Sequence, residues 1–539
     1  MAITVIKRPE GEAGAAWPAI VVGLFVAFGG VLFGYDTGTI SGIQEMPYWI
    51  NEFEDPAGRG RISLIVSVLS IGTFVGALSA GFVADILGRR WGLIFACAAP
   101  FNLGVILQTA STEDNMFIMG RFFAGYGVGL VSAMIPMYQS ETLPKWIRGT
   151  VTGTYQLAIT IGLFLAAIVS YATKDRNDSG SYRIPLAVQF AWSLILTGGL
   201  LVLPETPRFL IKKDKHDEAA KSLSRLRRLP IDHESIIEEL AEYEAAYRYE
   251  MSIGQSGWVE LVTGPMKKRL FTGMSLQSLQ QLVGINFIIY YGTTFFTRAG
   301  FGDAPGQINP FIIQVIINTV NVVSTLPGLW AVEALGRRSL LLIGAVGMGV
   351  SQLIVAIIGL TTDETNRPAQ NALIAFVCFF IFFFAASWGP VAWVVTSEIF
   401  PLRYRAKGLS MTTASNWFFN WLLAFITPYL TQETYAGLGT EIFFIWGGFC
   451  VIATIFVWFF IYETKGLSLE EVDALYQTVN KAWKSAEYRP AVKFSDIERS
   501  GSLAGGASFK AAAEEYKRKQ SVVESEKGRD EERNEKVSV

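Results

Sequence analysis

The sequence predicts an all-α, polytopic membrane protein whose twelve transmembrane helices form two pseudo-symmetric halves of six. Of its 539 residues, 51% are hydrophobic and only 17% are charged, and apolar stretches of about 20 residues recur along most of the chain. A charged segment separates these stretches into two groups of six, and three motifs of the first group return in the second. Nothing in the composition, with its net charge of −2, indicates nucleic-acid binding.

The spans and the charges outside them define the organisation and the topology. The twelve predicted spans lie at roughly 18–40, 62–83, 91–110, 116–138, 149–171, 185–203, 271–297, 309–331, 338–361, 371–396, 408–430 and 440–462. An even number of spans places both termini on one side, and the Lys- and Arg-rich linker at 205–270 makes that side cytoplasmic. We therefore predict the following segments: a cytoplasmic tail 1–17, a six-helix half 18–204, a helical linker 205–270, a second half 271–463 and a cytoplasmic tail 464–539 that is largely disordered.

One apolar stretch of the second half carries an unusual cluster of amides. Gln277 and Gln281 fall on one helical face with Gln280 beside them, and Asn286 follows after Gly284. Amides in hydrocarbon are costly unless they find partners, and they donate and accept hydrogen bonds as sugar hydroxyls do. The cluster indicates either a polar cavity that binds a hydroxyl-rich ligand or amides that only hold helices together.

Other polar or aromatic groups lie near this cluster in the predicted helical layout. Tyr290 and Tyr291 follow Asn286 by one turn, where their rings can close over a ligand. Further candidates lie in the other spans: Gln156, Asn318, Asn416 and Trp393. Gly389-Pro390 should break the span that contains Trp393. Tryptophan stacks well on the apolar face of a pyranose, but a single aromatic ring also serves for packing.

Two ionisable side chains, Asp36 and Arg121, fall clearly within the hydrocarbon. Each is costly there unless it is paired. At a rise of about 1.5 Å per residue both lie in the outer half of the membrane, so that they can meet. An aspartate that alternates between Arg121 and a proton would couple proton movement to conformation. The alternative is a permanent structural ion pair.

The repeated motifs all lie on the predicted cytoplasmic face. Asp85 to Arg90 returns as Glu333 to Arg338, Glu141…Arg148 returns as Glu398…Arg405, and the Glu-Thr of 205–206 returns at 463–464, each about 250 to 260 residues later. Acids and arginines at helix ends can pair to hold an inner gate closed, or they can simply orient the helices. The predicted cytoplasmic gate comprises Asp85, Arg89, Arg90, Glu141, Arg148, Glu205, Arg208, Glu333, Arg337, Arg338, Glu398, Arg405 and Glu463.

These motifs together resemble those of the sugar porters of the major facilitator superfamily, and specifically of fungal hexose transporters. The resemblance spans roughly residues 18–480. It rests on the Phe-Gly-Tyr-Asp-Thr-Gly of 33–38, the two Gly-Arg-Arg loops, the Pro-Glu-Thr-Pro-Arg of 204–208, Gln280-Gln281…Asn286 and Glu398…Arg405. One departure is Tyr462, which stands where the family often has proline and should alter the exit of the last helix.

The resemblance implies roles at the matching positions. The sugar-binding set matches Gln156, Gln280, Gln281, Asn286, Asn318, Trp393, Asn416 and, as a neighbouring aromatic, Trp417. Tyr290 and Tyr291 match the outer gate. Asp36 and Arg121 match the pair of proton-linked members. Animal facilitators have asparagine in place of Asp36, whereas yeast facilitators keep the aspartate, so this residue does not decide the mechanism.

We therefore expect a plasma-membrane carrier and not an enzyme, which imports a hexose such as glucose by alternating access with a proton, and which needs no cofactor or metal. Three alternatives stay open. The first is a facilitator with the same pocket. The second is a glucose sensor that signals through its cytoplasmic tail. The third is another substrate, such as a pentose, a polyol or a disaccharide.

Overall fold

In the computed structural model the chain is helical throughout, with no strand among the residues that the structure describes. These are residues 13–53, 59–144, 146–252, 258–264, 266–299, 301, 308–362, 366–431, 435–467 and 469–488. The predicted disorder of the last 50 or so residues therefore concerns a segment outside them.

The helices follow the predicted spans. Those of the first half are α1 Trp17–Ala27, α2 Gly29–Ile43, α3 Pro47–Phe53, α4 Arg59–Leu87, α5 Arg89–Ala96, α6 Asn102–Thr109, α7 Asp114–Thr142, α8 Arg148–Thr173 and α9 Gly180–Val202. Those of the linker are α10 Pro207–Lys212, α11 His216–Arg227, α12 Glu234–Ser252 and α13 Trp258–Val262. Those of the second half and the tail are α14 Met266–Leu282, α15 Ile285–Arg298, α16 Pro310–Leu335, α17 Arg337–Thr361, α18 Arg367–Phe383, α19 Gly389–Glu398, α20 Leu402–Thr431, α21 Ile442–Phe460 and α22 Leu469–Thr478.

Ten helical segments of the described chain are long and apolar enough to cross a bilayer by themselves. The other two predicted spans are helical as well, as α14 with α15 and as α20, but they are less apolar, and α14 with α15 carries the amide cluster Gln277, Gln280, Gln281 and Asn286. Polar residues in a spanning helix are retained where they face the interior of the bundle. The two less apolar spans are thus the ones expected to line a polar site.

Two spans contain a π-helical turn. One is Cys97–Phe101, between α5 and α6, and the other is Phe384–Trp388, between α18 and α19. The sequence predicts a break at Gly389-Pro390, but the helical backbone continues there: the π-helical turn leads directly into α19, of which Pro390 is the second residue. The distortion therefore lies just before the proline, and the carbonyl oxygens of Trp388 and Gly389 beside it accept from Gln280 Nε2 at 2.9 and 3.1 Å.

The chain divides into two compact units. The described residues of Ala19–Pro204 and Ser256–Tyr488 form the first unit, which contains the helices of the predicted spans, and those of Pro9–Pro18 and Glu205–Gln255 form the second. The second unit has its own apolar core, formed by Leu210, Ile211, Ala219, Ala220, Leu223, Ile236 and Leu240. An ion pair of 2.7 Å between Arg227 and Glu239 joins α11 to α12.

Candidate functional site

A glycine divides the predicted seventh span into two half-helices. Gly284 separates α14 from α15. Its φ of +88° lies in the left-handed region, which residues with a Cβ rarely adopt. The ring of Trp446 fills the space beside it, so that a Cβ there would lie 2.5 Å from Cγ of the ring. The break places the amides at the end of α14 directly against the start of α15, which carries the predicted outer gate.

The amides of α14, α15 and α20 form one hydrogen-bonded network. Asn416 Nδ2 donates to Gln277 Oε1 at 2.6 Å and to Gln280 Oε1 at 2.8 Å. Gln281 Nε2 donates to Gln280 Oε1 at 3.3 Å, and Asn286 Nδ2 donates to Gln281 Oε1. All five side chains are buried. In this state the amides satisfy one another, so a ligand would have to exchange its own hydrogen bonds for these.

The remaining members of the sugar-binding set come from other helices. Gln156 is buried and its amide carbon lies 3.4 Å from where a Cβ on Gly389 would be, so a first-half amide contacts the second half. The ring of Trp393 meets Tyr155 edge-on, with centroids 6.1 Å apart. Asn318 is also buried, but its Nδ2 donates at 2.9 Å to a carbonyl of its own helix and to no other described amide.

Trp417 lies at the contact between the halves. Its indole Nε1 donates to Ser132 Oγ at 3.2 Å, and its ring packs on Phe33 at a centroid distance of 5.0 Å. Both partners belong to the first half and the tryptophan is fully buried. The side chain therefore ties α20 to the first half in this state, in addition to the role that the resemblance implies.

At the end of the bundle that the sequence predicts to face outward, three hydrogen bonds join α2 and the residues that follow it to α15. Gln44 Nε2 donates to the carbonyl oxygen of Tyr290 at 2.6 Å, the hydroxyls of Ser41 and Thr293 are 3.2 Å apart, and Thr294 donates to Glu45 at 2.6 Å. The two predicted gate tyrosines are buried beneath this contact. The amide network is thus covered from the outer side.

A cavity of about 770 Å³ lies at the outer end of the second half. Its lining includes Tyr291, Gln44, Glu45 and Arg298, but no member of the sugar-binding set. This cavity therefore does not coincide with the amide network.

Asp36 and Arg121 form an ion pair inside the first half. Arg121 Nη1 lies 3.4 Å from Asp36 Oδ1, and both side chains are at most 1% exposed. Gln189 Nε2 donates to the same carboxylate oxygen at 3.2 Å, while Asp36 Oδ2 has no hydrogen-bond partner among the described residues. The carboxylate of Asp36 is thus held on one oxygen by Arg121 and Gln189, in the interior of the first half.

The first-half members of the cytoplasmic gate are joined within that half. Arg89 binds Glu141 at 2.9 Å and lies 4.0 Å from Asp85, which links the start of α5 to the end of α7. Arg90 donates to the carbonyl oxygen of Leu200 at 2.8 Å. Arg148 is half-buried at the first residue of α8.

The second half repeats this arrangement around Arg337. Its guanidinium binds Glu333 at 2.9 Å and Glu398 at 2.8 Å, and the backbone N–H groups of Arg337 and Arg338 donate to Glu463 at 2.9 and 3.1 Å. A carboxylate at a helix N-terminus also interacts favourably with the helix dipole, here that of α17. The side chain of Arg405 lies outside the part that the structure describes.

The halves approach closely next to this cluster. A Cβ on Gly149, at the start of α8, would lie 2.8 Å from Glu333 Oε1 and 3.2 Å from Arg337 Nη2. The ion pairs that the structure gives for the gate residues thus join helices within each half, and a first-half glycine fits against the pair formed by the second.

The remaining gate residues, Glu205 and Arg208, belong to the second compact unit. The carbonyl oxygen of Glu205 accepts from Ser222 at 2.5 Å, and its carboxylate accepts from the N–H of Thr206 at 2.9 Å. The guanidinium of Arg208 stacks on the ring of Tyr243 at 4.7 Å. Within this unit both residues fix the start of α10 on the linker helices.

Sequence reasoning missed a residue of the network, Asn420. It lies four residues after Asn416 and therefore on the same face of α20, and this spacing is the signal that would have found it. Its side chain contacts Gln281, Tyr290 and Ser70.

Tyr462, the departure from the family pattern, has a defined role. It follows the end of α21, its ring stacks on Tyr476 of α22 at 4.4 Å, and its hydroxyl donates to the carbonyl oxygen of Val479 at 2.9 Å. Burial raises the pKa of the Tyr476 hydroxyl above its ordinary value. The exit of the last helix is thus held against the tail helix.

The comparisons with known proteins agree with this arrangement. The family model "Sugar (and other) transporter" matches residues 22–476. The protein belongs to the sugar porters of the major facilitator superfamily. Members of this family are transporters and not enzymes, and the fold is the twelve-helix fold of the superfamily.

Three curated relatives of this chain are named as a transporter, a glucose transporter and a glucose sensor. The major facilitator-type transporter ecdD of Aspergillus rugulosus is 58% identical over 90% of this chain and 92% of its own length. The probable glucose transporter rco-3 of Neurospora crassa is 48% identical over 93% and 86%. The high glucose sensor RGT2 of Saccharomyces cerevisiae is 42% identical over 88% of this chain and 63% of its own length.

Among solved structures, the proton:xylose symporter XylE of E. coli, bound to 6-bromo-6-deoxy-D-glucose, superposes with a TM-score of 0.72 at 27% identity. The match covers 86% of this chain and 100% of that one. The sugar porter is therefore similar to a proton:xylose symporter over most of its length.

Proposed function

We propose that this sugar porter imports a monosaccharide, glucose or another hexose, across the plasma membrane by alternating access, in symport with a proton. The observation that carries the proposal is the buried amide network of Gln277, Gln280, Gln281, Asn286 and Asn416. Gln156 of the first half lies against Gly389, whose carbonyl oxygen accepts from Gln280 of this network. Uncharged amides donate and accept at once, as the recognition of sugar hydroxyls requires. The naming of relatives as glucose transporters supports this substrate class.

Proton coupling is assigned to Asp36 and Arg121. A buried carboxylate beside a buried guanidinium is charged when the pair is formed and is neutral once a proton releases it. Since the pair joins α2 to α7, its formation and release would bias the first half between two arrangements. The similarity to a proton:xylose symporter supports this proposal. On the positive-inside argument, both termini are placed in the cytoplasm.

The first experiment is uptake of radiolabelled glucose in cells without their own hexose carriers, with and without a protonophore. Collapse of accumulation by the protonophore supports symport. Uptake that only equilibrates and ignores the protonophore would identify a facilitator, with Asp36 and Arg121 as a structural pair. If the protein reaches the surface but takes up no sugar, the second candidate function, a glucose sensor, is favoured. The 42% identity to a high glucose sensor is the observation that supports this candidate.

Two substitutions separate the roles. Asp36→Asn should abolish uphill accumulation while sugar exchange down its gradient continues, because a neutral amide cannot carry the proton; loss of both would indicate a structural ion pair. Gln281→Ala should weaken sugar affinity by about fivefold or more, the effect of losing one buried hydrogen bond. Unchanged affinity at normal surface abundance would argue against the proposed pocket.

A further inference from the structure

The side chain of Asn420 has hydrogen bonds to the amide network, to the predicted outer gate and to the first half. Its Nδ2 donates to Gln281 Oε1 at 3.3 Å. Its Oδ1 accepts from the Tyr290 hydroxyl at 2.9 Å and from Ser70 Oγ at 2.6 Å. These partners lie on three different helices: α14, α15 and α4.

Burial makes these hydrogen bonds hard to exchange for water. Asn420 is 4% exposed, and Tyr290 and Ser70 are fully buried. A buried polar atom that loses its partner costs more free energy than a hydrogen bond gains at the surface. Asn420 Oδ1 therefore accepts from the hydroxyls of Tyr290 and Ser70, which also bond to each other, only while α4, α15 and α20 keep this arrangement.

The same amide also senses the predicted sugar site. Gln281 Oε1 accepts from Asn420 and from Asn286, so both donors compete for one oxygen with any ligand hydroxyl. A sugar that binds Gln281 would change the position of the Asn420 amide, and that change reaches Tyr290 through a single side chain. The gate tyrosine lies beyond the break at Gly284, where α15 can move relative to α14.

We propose that Asn420 is a positioning residue that couples sugar occupancy to closure of the outer gate, through Tyr290 and through Ser70 of the first half. The inference rests on the proposed sugar transport. It assigns to Asn420 an effect on the rate at which the outer gate closes, in addition to any effect on sugar binding. Asn420→Ala should therefore lower the maximal uptake rate by about five- to thirtyfold, while KM changes less.

A double-mutant cycle tests the coupling. Asn420→Ala, Tyr290→Phe and the double variant are compared in sugar uptake, with rates normalised to the amount of protein at the surface. If the tyrosine acts through Asn420, the double variant is no slower than Asn420→Ala alone within about twofold. The matched control is Tyr291→Phe, since that hydroxyl donates to the carbonyl oxygen of Ala424 at 2.6 Å instead, and its effect should multiply with that of Asn420→Ala.

Each outcome decides the matter. Multiplicative effects of Tyr290→Phe and Asn420→Ala overturn the inference, as does a change in KM alone, which would make Asn420 a binding contact. If Asn420→Ala does not reach the membrane, the pair Ser70→Ala and Tyr290→Phe is used in the same cycle, because both hydroxyls bind the same oxygen. If the wild-type protein moves no sugar, both the proposed transport and this inference are overturned. If Gln281→Ala weakens sugar affinity as expected but Tyr290→Phe and Asn420→Ala have multiplicative effects, only the inference about Asn420 is overturned.

Discussion

Replacement of Gly284 by alanine tests whether the break in the seventh span is required. The glycine is in the left-handed region with a φ of +88°, and the side of its backbone that would carry a Cβ faces Trp446. The substitution adds one methyl group and changes no hydrogen-bonding group. Any effect is thus due to backbone conformation and packing.

The magnitude follows from two contributions. An L-residue held in the left-handed region costs about 1 to 2 kcal/mol. A Cβ at 2.5 Å from Trp446 Cγ must be relieved by a shift of a large buried ring, and overpacking of this kind costs about 1 to 3 kcal/mol. We expect the two together to lower the free energy of unfolding by about 2 to 5 kcal/mol. Sugar uptake should also slow, because Gly284 sets the position of α15, which carries the predicted outer gate, relative to the amides of α14.

The assay is the apparent melting temperature of the purified protein in detergent, with uptake measured in parallel. Two glycines provide matched controls. Gly466 has a φ of +74° and no neighbouring atom within 4 Å of the place that an added Cβ would occupy, so its alanine variant reports the backbone contribution alone. Gly448, in α21, has neither strain nor a close atom, and its alanine variant should melt no lower than the wild type.

The expected order of melting temperatures is Gly448→Ala highest, Gly466→Ala lower and Gly284→Ala lowest. Wild-type stability and transport in Gly284→Ala would refute the reasoning. Equal losses in Gly284→Ala and Gly466→Ala would leave the backbone argument in place but would refute the contact with Trp446.

Two further predictions concern the face that the sequence predicts to be cytoplasmic. Gly149→Val should slow uptake without reducing surface abundance, because a Cβ at this position would lie 2.8 Å from Glu333 Oε1. The control is Gly198→Val, since no atom lies within 4 Å of a Cβ at that position. Equal uptake rates in the two variants would contradict the close approach of the halves. Asp473→Asn should expose the tail to limited proteolysis, because Asp473 binds the buried Arg269 at 2.6 Å and loss of one charge partner costs about 1 to 3 kcal/mol. Cleavage at the wild-type rate would show that this ion pair does not hold the tail helix.

Much of the fold can be predicted from the pattern of the sequence. Apolar stretches long enough to cross a bilayer allow little besides helices, because backbone groups in hydrocarbon must be satisfied within the segment. The repeated motifs around Arg89 and Arg337 then indicate two related halves. The same logic singled out Asp36, Arg121 and the amides, since polar groups stand out against an apolar background.

The tertiary structure decided which of these groups meet. Only the packing of α20 against α14 brings Asn416 to Gln277 and Gln280, and only the approach of α4 gives Asn420 its bond to Ser70. The position of the helix distortion in the tenth span and the stack of Tyr462 on Tyr476 were also fixed by packing. The physical reason is that hydropathy and spacing act along one chain segment, whereas hydrogen bonds between helices depend on how distant segments are rotated and placed against each other.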